Sequence, residues 1–336
     1  MQIRQPYLLF LGDAKDELAA KTAFGIHDWI PETCIGQFRF EDCAAKLPIA
    51  ELEIQQAVAA GVKTLVIGVT NAGGFIPDHW IAVLKQALES GLDIASGLHQ
   101  GLGEIPELLQ TADQYGRQLL DVRHPKESFA VGSGKKRSGK RVLSVGTDCS
   151  VGKMYTSLAI NRELRNRGLN SNFRATGQTG IFIAGAGISV DAVIADFISG
   201  SVESIAPAAD ESHWDIIEGQ GSLFHPSFAG VSLGLLHGSQ ADILVLCHEP
   251  TRRHMRGLAH QPIPGIAECI EANLAAARLV NAKARVAGIA VNSKALDERT
   301  AQQLMTELES THNLPCVDPV RSGVDALVDA MLQQST

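Results

Sequence analysis

Apolar positions in the first part of the chain follow two alternating spacings. Tyr7–Leu11 is a continuous apolar run closed by Gly12-Asp13, and Thr64–Val69 is β-rich and apolar throughout. Neither shows the polar alternation of a half-exposed strand, so both predict buried strands of a parallel sheet. Elsewhere the spacing turns helical: Leu18–Phe24, Glu51–Ala60 with its stop at Gly61, and about Asp78 to Ser90 with its stop at Gly91. Leu92–Ala95 then starts another strand. Strand, helix and strand joined by short loops build a Rossmann-like sheet, which is the expectation for residues 1–125.

Periodicity is lost from Arg123 to Lys140, where Gly, Ser and Lys dominate. An exposed basic linker over 126–140 accounts for that composition better than a nucleic-acid patch does. Beyond it strands resume at Arg141–Val145, Asn172–Thr176, Asp215–Ile217, Ala241–Cys247 and Val286–Val291, with an edge strand at Cys316–Asp318. Helical spacing covers Met154 to about Arg167, Ile266–Leu279, Ala301–Leu308 and Ala326–Leu332. The whole reads as α/β: a Rossmann-like N-terminal domain, then a P-loop NTPase-like domain over 141–336 built on a doubly wound, mostly parallel sheet.

Composition narrows the function classes. A chain of 336 residues suggests two domains, and 45% hydrophobic with 20% charged residues is a globular profile. The net charge of −8 argues against nucleic acid or an anionic membrane as partner. Met1–Pro6 lacks the apolar centre of a signal peptide, and no apolar run reaches the ~18–20 residues of a membrane span. A cytoplasmic enzyme acting on a small molecule is expected, with a homo-oligomer as the default assembly. Cys34, Cys43, Cys149, Cys247, Cys269 and Cys316 form no CxxC pair, so buried thiols are expected and no metal site is assigned.

The candidate chemistry begins where Arg141–Val145 runs into Gly146-Thr147-Asp148-Cys149-Ser150-Val151-Gly152-Lys153 and a helix follows. Strand, glycine loop, GK and helix occur in the order that cradles phosphate: the loop N–H groups and the helix N-terminus attract oxyanions, and Lys153 adds a charge. Two departures stand out. Five residues rather than four separate the glycines, and Met154 stands where Ser or Thr normally reaches Mg²⁺. A thioether does not replace that hydroxyl on a hard cation. A pyrophosphate carrier without an obligatory metal, such as coenzyme A, fits the loop, although Asp148 or Glu218 could still hold a metal.

Other strand ends supply further groups. Thr176, Gln178 and Thr179 in TGQTG are placed to hydrogen-bond a ligand across the sheet edge, or else cap a helix, and Arg174 is a cation for a carboxylate. Glu218 ends the strand Asp215–Ile217 and is followed by Gly219 and Gly221, and His225 lies just beyond. Glu218, Asp215 and His225 are the base candidates. Arg252 and Arg253 cluster after Ala241–Cys247 and suit a carboxylate or phosphate, or form a solvated basic loop. In the first domain, Asn71-Ala72-Gly73-Gly74 is a weak ligand-loop signal, and His99 follows a strand where α/β proteins place functional loops.

The GTD…VGK spacing resembles dethiobiotin synthetase. VGTDCSVGKM, ATGQTG, DIIEGQGSLFHPSF and HEPTR together resemble a two-domain P-loop family of formerly unknown function, over nearly the whole chain. That family pairs a Rossmann-like N-terminal domain with a dethiobiotin-synthetase-like C-terminal domain, and it includes a D-glutamate N-acetyltransferase. The resemblance implies acetyl transfer from acetyl-CoA to the amine of D-glutamate in D-amino-acid catabolism. The loop would then hold a phosphate of the donor, and Arg174, Arg252 or Arg253 the substrate carboxylates. The alternative is an ATP- and Mg²⁺-dependent phosphorylating or ligating enzyme of the dethiobiotin synthetase type.

Overall fold

Five short strands form the first sheet of the computed structural model, which describes residues 3–71, 73–125 and 127–333. They are β1 (Tyr7–Gly12), β2 (Cys34–Arg39), β3 (Thr64–Ile67), β4 (Asp93–Ser96) and β5 (Leu119–Asp121). Their order is β2-β1-β3-β4-β5 with every pairing parallel. Helices Lys21–Trp29, Ile54–Ala59, Asp78–Glu89 and Pro106–Tyr115 alternate with the strands. Tyr7 through Leu11 are all 0% exposed, the burial that their unbroken apolar run requires. β2 escaped the pattern because it carries Gly36 and a polar Gln37. Gln37 is nonetheless fully buried, its amide bonded to the Leu47 N–H and to the Leu47 and Ile49 carbonyls. Of the suggested ligand loop 71–74, Ala72 lies outside the described residues.

The second sheet is built from β6 (Lys140–Gly146), β7 (Ser171–Arg174), β8 (Trp214–Ile217), β9 (Ile243–His248), β12 (Arg285–Val291) and β13 (Cys316–Val317). Its order is β13-β12-β9-β6-β8-β7, again with every pairing parallel. β10 (His254–Met255) and β11 (Leu258–Pro262) form a separate antiparallel hairpin. Helices Lys153–Asn166, Ile198–Ile205, Ala229–Ser239, Ile266–Arg278, Glu298–His312 and Asp325–Gln333 complete this part. From β6 the chain goes to β7 and β8 on one side and returns to β9 on the other. The sheet therefore switches direction beside β6, where α/β folds bind ligands at the strands' carboxyl ends.

Two compact units result, and they do not follow the chain in a single cut. One holds residues through Glu127 together with Gly177–Ala192; the other holds Ser128–Thr176 and Val193 onward. Within the first unit, helix Gln178–Ala184 is tied in by Tyr7, whose hydroxyl donates to the Phe182 carbonyl at 3.3 Å. Thr179 bonds Thr22 at 3.3 Å, and Arg123 pairs with Asp191 at 2.6 Å. Within the second unit, the basic segment before β6 is exposed but anchored. Glu203 accepts from the Ser133 and Gly134 N–H groups, and Lys136 pairs with Asp242 at 2.8 Å.

Candidate active site

Gly146 ends β6 and opens the loop. A side chain there would press on Val151 Cγ2 at 2.8 Å and Lys153 Nζ at 3.1 Å. The loop turns through left-handed backbone at Ser150 (φ 54°) and at Gly152 (φ 103°), which delivers the chain into helix Lys153–Asn166. Left-handed backbone is routine for Gly and uncommon for Ser. Lys153 is the first helical residue and is 6% exposed; its ammonium reaches back to donate to the Asp148 carbonyl at 2.7 Å. Burial lowers its pKa below the ordinary 10.5, so a phosphate would find a desolvated cation beside the loop N–H groups.

Asp148 is buried, and its Oδ2 accepts from Arg252 Nη1 and from the Arg256 N–H, each at 2.7 Å. Arg252 also donates to the carbonyls of Cys149 (2.6 Å) and Ser150 (3.3 Å), and it pairs with Glu249 at 3.4 Å. The Arg256 guanidinium donates to Ser150 Oγ. Arg252 thus ties the loop in place through its own donors, where the sequence suggested a residue facing a substrate carboxylate. Thr147 Oγ1 bonds His248 Nδ1 at 3.1 Å. Burial lowers the His248 pKa, with Glu249 opposing and Arg252 assisting. Burial also raises the Cys149 thiol against the pull of Lys153.

Glu218 stands at the carboxyl end of β8 and is 4% exposed. Its Oε2 accepts from the Thr176 N–H at 2.9 Å, and its carbonyl accepts from the Thr176 hydroxyl at 2.6 Å. The next residue, Gly219, donates to Ser144 Oγ at 2.9 Å. A Cβ on Gly219 would meet the Lys153 stem at 3.0 Å. Glu218 and Thr176 are thus bonded to each other, and it is Gly219 that closes on the loop lysine. His225 uses both ring nitrogens: Nε2 lies 3.1 Å from the Arg256 carbonyl, and Nδ1 accepts from the Ser227 N–H at 3.2 Å. Its ring lies against Phe228 at 4.6 Å.

Asp215 is not brought to the loop. Asp215 registers with Arg141, five residues before Gly146 on β6, which is about 16 Å along a strand. There it is buried and paired with Arg174 at 2.7 Å and His213 at 3.1 Å. Arg174 itself ends β7 in register with Ile217, and its guanidinium turns back onto Asp215, so the two charges are already paired with each other. Gln178 and Thr179 begin a helix of the first unit, whereas Thr176 belongs to the second. Arg253 is exposed at the base of the β10–β11 hairpin. His99 packs on Gly74, where a Cβ would meet its ring at 2.4 Å, and burial lowers its pKa. Sequence reasoning missed Arg256. The available signal was the Arg256-Gly257 pair at the hairpin tip, where Gly257 takes φ 78°. Ser144 was missed as well, since it reads as an ordinary residue inside a strand.

Residues 128–328 match the domain of unknown function DUF1611_C, described as a P-loop domain, and residues 37–125 match DUF1611_N, described as a Rossmann-like domain. The chain is 50% identical over 328 residues to a D-glutamate N-acetyltransferase of Pseudoalteromonas sp., covering 98% of this chain and 99% of that protein. It is 53% identical over 329 residues to a D-glutamate N-acetyltransferase of Tritonibacter scottomollicae, with the same coverage of 98% and 99%. A crystal structure of a DUF1611 family protein from Anabaena variabilis is similar with a TM-score of 0.88 at 34% identity, covering 98% of this chain and 100% of the other. Among the described residues no helix is long and apolar enough to cross a membrane.

Proposed function

This chain belongs to the DUF1611 family, and we propose that it is an N-acetyltransferase that moves an acetyl group from acetyl-CoA to the amine of D-glutamate. The observation that carries the reading is identity of 50% and 53%, over nearly the full length, to two proteins of that name. The loop chemistry supports it. Met154 replaces the hydroxyl that would hold Mg²⁺, while Lys153 and the loop N–H groups suit a phosphate of the donor. The donor supplies an activated thioester, and the chain supplies binding, orientation and a base. Only the free amine attacks, so a proton must leave the substrate ammonium. Glu218 is the carboxylate best situated to accept it: it is buried at the carboxyl end of β8, held by the Thr176 N–H, and directly precedes Gly219, which packs on the loop lysine's stem. Arg253 and Arg256, both exposed, are the cations for the substrate carboxylates or the donor's remaining phosphates. The reading carries with it a cytoplasmic homo-oligomer that serves D-glutamate catabolism.

The test is release of free thiol from acetyl-CoA by purified protein with D-glutamate in EDTA, with L-glutamate and MgATP as controls. Release that depends on D-glutamate, survives EDTA and is lost in Lys153→Ala is the expected result. Phosphate production from ATP that needs Mg²⁺, without thiol release, would overturn the reading in favour of phosphoryl transfer.

A further inference from the structure

Three side chains at the loop have a relationship that phosphate binding does not use. The Asp148 carboxylate, the Cys149 thiol and the His225 imidazole each place one donor atom within 4.8 Å of the other two. Asp148 is 0% exposed, and its Oδ1 has no hydrogen-bond partner although Oδ2 has two. A buried carboxylate oxygen without a partner is costly and calls for a cation or a donor. The two donors on Oδ2 fix the carboxylate's rotation, as outer-shell partners do for metal ligands. Phe228 backs the His225 ring.

We infer that Asp148, Cys149 and His225 form a three-ligand site for a borderline-soft divalent cation of the zinc class, with the fourth position open. The donor set decides the class: a thiolate with imidazole and carboxylate suits Zn²⁺ and disfavours Mg²⁺. Ligand atoms around a tetrahedral zinc stand about 3.4–3.7 Å apart, so the three draw together by up to about 1.4 Å on binding. His225 gives up one of its two hydrogen bonds to do so. Cys149, which is half-buried, supplies the entry route and loses its proton to the solvent as the metal binds. Lys153, Arg252 and Arg256 repel a bare cation, so the open position takes an anion. The inference does not rest on the transferase reading, which needs no metal.

The test uses the full chain, stripped with EDTA and dialysed. Cobalt(II) is titrated in and the thiolate-to-cobalt charge-transfer band is followed. The expected result is a saturable, stoichiometric band that Zn²⁺ removes and that is absent from Cys149→Ser. His225→Ala should weaken binding at least about tenfold. Alkylation of Cys149 in the unsubstituted chain, mapped by mass spectrometry, should slow with Zn²⁺ and not with Mg²⁺; this arm decides the matter if Cys149→Ser does not fold. No thiolate band, a band that persists in Cys149→Ser, or alkylation indifferent to Zn²⁺ would overturn the site.

Discussion

Replacing Gly219 by Ala tests how tightly β8 and β6 are closed around Lys153. The Cβ would sit 1.6 Å from the Ser144 carbonyl oxygen and 2.8 Å from the Ser144 carbonyl carbon. Both atoms are backbone of β6, so no side-chain rotation relieves the clash. Gly219 does not have a positive φ, so the effect comes from contact and not from backbone strain. Restoring an ordinary separation of 3.4 Å requires a shift of about 1.8 Å, which is 3.4 less 1.6. A shift of that size opens the 2.9 Å bond from the Gly219 N–H to Ser144 Oγ and drags Glu218 from the Thr176 N–H. Overpacking of this kind costs about 1–3 kcal/mol, and one lost buried hydrogen bond adds about 1 kcal/mol. The sum, about 2–4 kcal/mol, is a large share of a domain's ~5–15 kcal/mol. Urea denaturation measures it, with thiol release read on the folded fraction. Gly230→Ala is the control: nothing lies within 4 Å of its Cβ position in helix Ala229–Ser239, so it should gain about 0.5–1 kcal/mol. Gly219→Ala within 1 kcal/mol of the parent, with unchanged turnover, would refute the contact argument.

Two further outcomes follow from the same geometry. Asp215→Ala leaves Arg174 and His213 without their buried partner and should lower stability by about 3 kcal/mol. The KM values of the folded fraction should hardly move, and a tenfold rise in KM at unchanged stability would return Asp215 to the site. Burial holds the His248 pKa below 6.5, so its neutral form stabilises the fold fully above about pH 6.5. That contribution is lost as the pH falls through the lowered folded value. His248→Asn, which keeps an acceptor for Thr147, should therefore lose less stability between pH 7.5 and 5.5 than the parent does. Equal losses in the two proteins would contradict the assignment.

The sequence by itself determined the loop, the strands of the second parallel sheet and three of the five strands of the first, β2 and β5 being missed. Unbroken apolar runs such as Tyr7–Leu11 and Leu244–Leu246 are compatible only with burial on both faces, and Gly146–Lys153 carries its conformation in residues three to seven apart. Local chemistry of that range is written consecutively. Helix Glu298–His312 was legible only over Ala301–Leu308, because its first turn is polar and is started by Asp297 accepting the Thr300 N–H. The tertiary structure alone decided the partners. Asp215 and Glu218 lie three residues apart, and in sequence both look like acids at a strand end. Register with Arg141 put Asp215 at the amino end of the sheet against Arg174, whereas Glu218 emerged at the carboxyl end beside Thr176. Arg252 and Arg256 reach Asp148 from more than 100 residues away through a hairpin with no apolar pattern of its own, and Gly177–Ala192 joined the first unit through Tyr7 and Thr22. Strand pairing and such long-range contacts depend on which faces meet after folding, and no local periodicity records that.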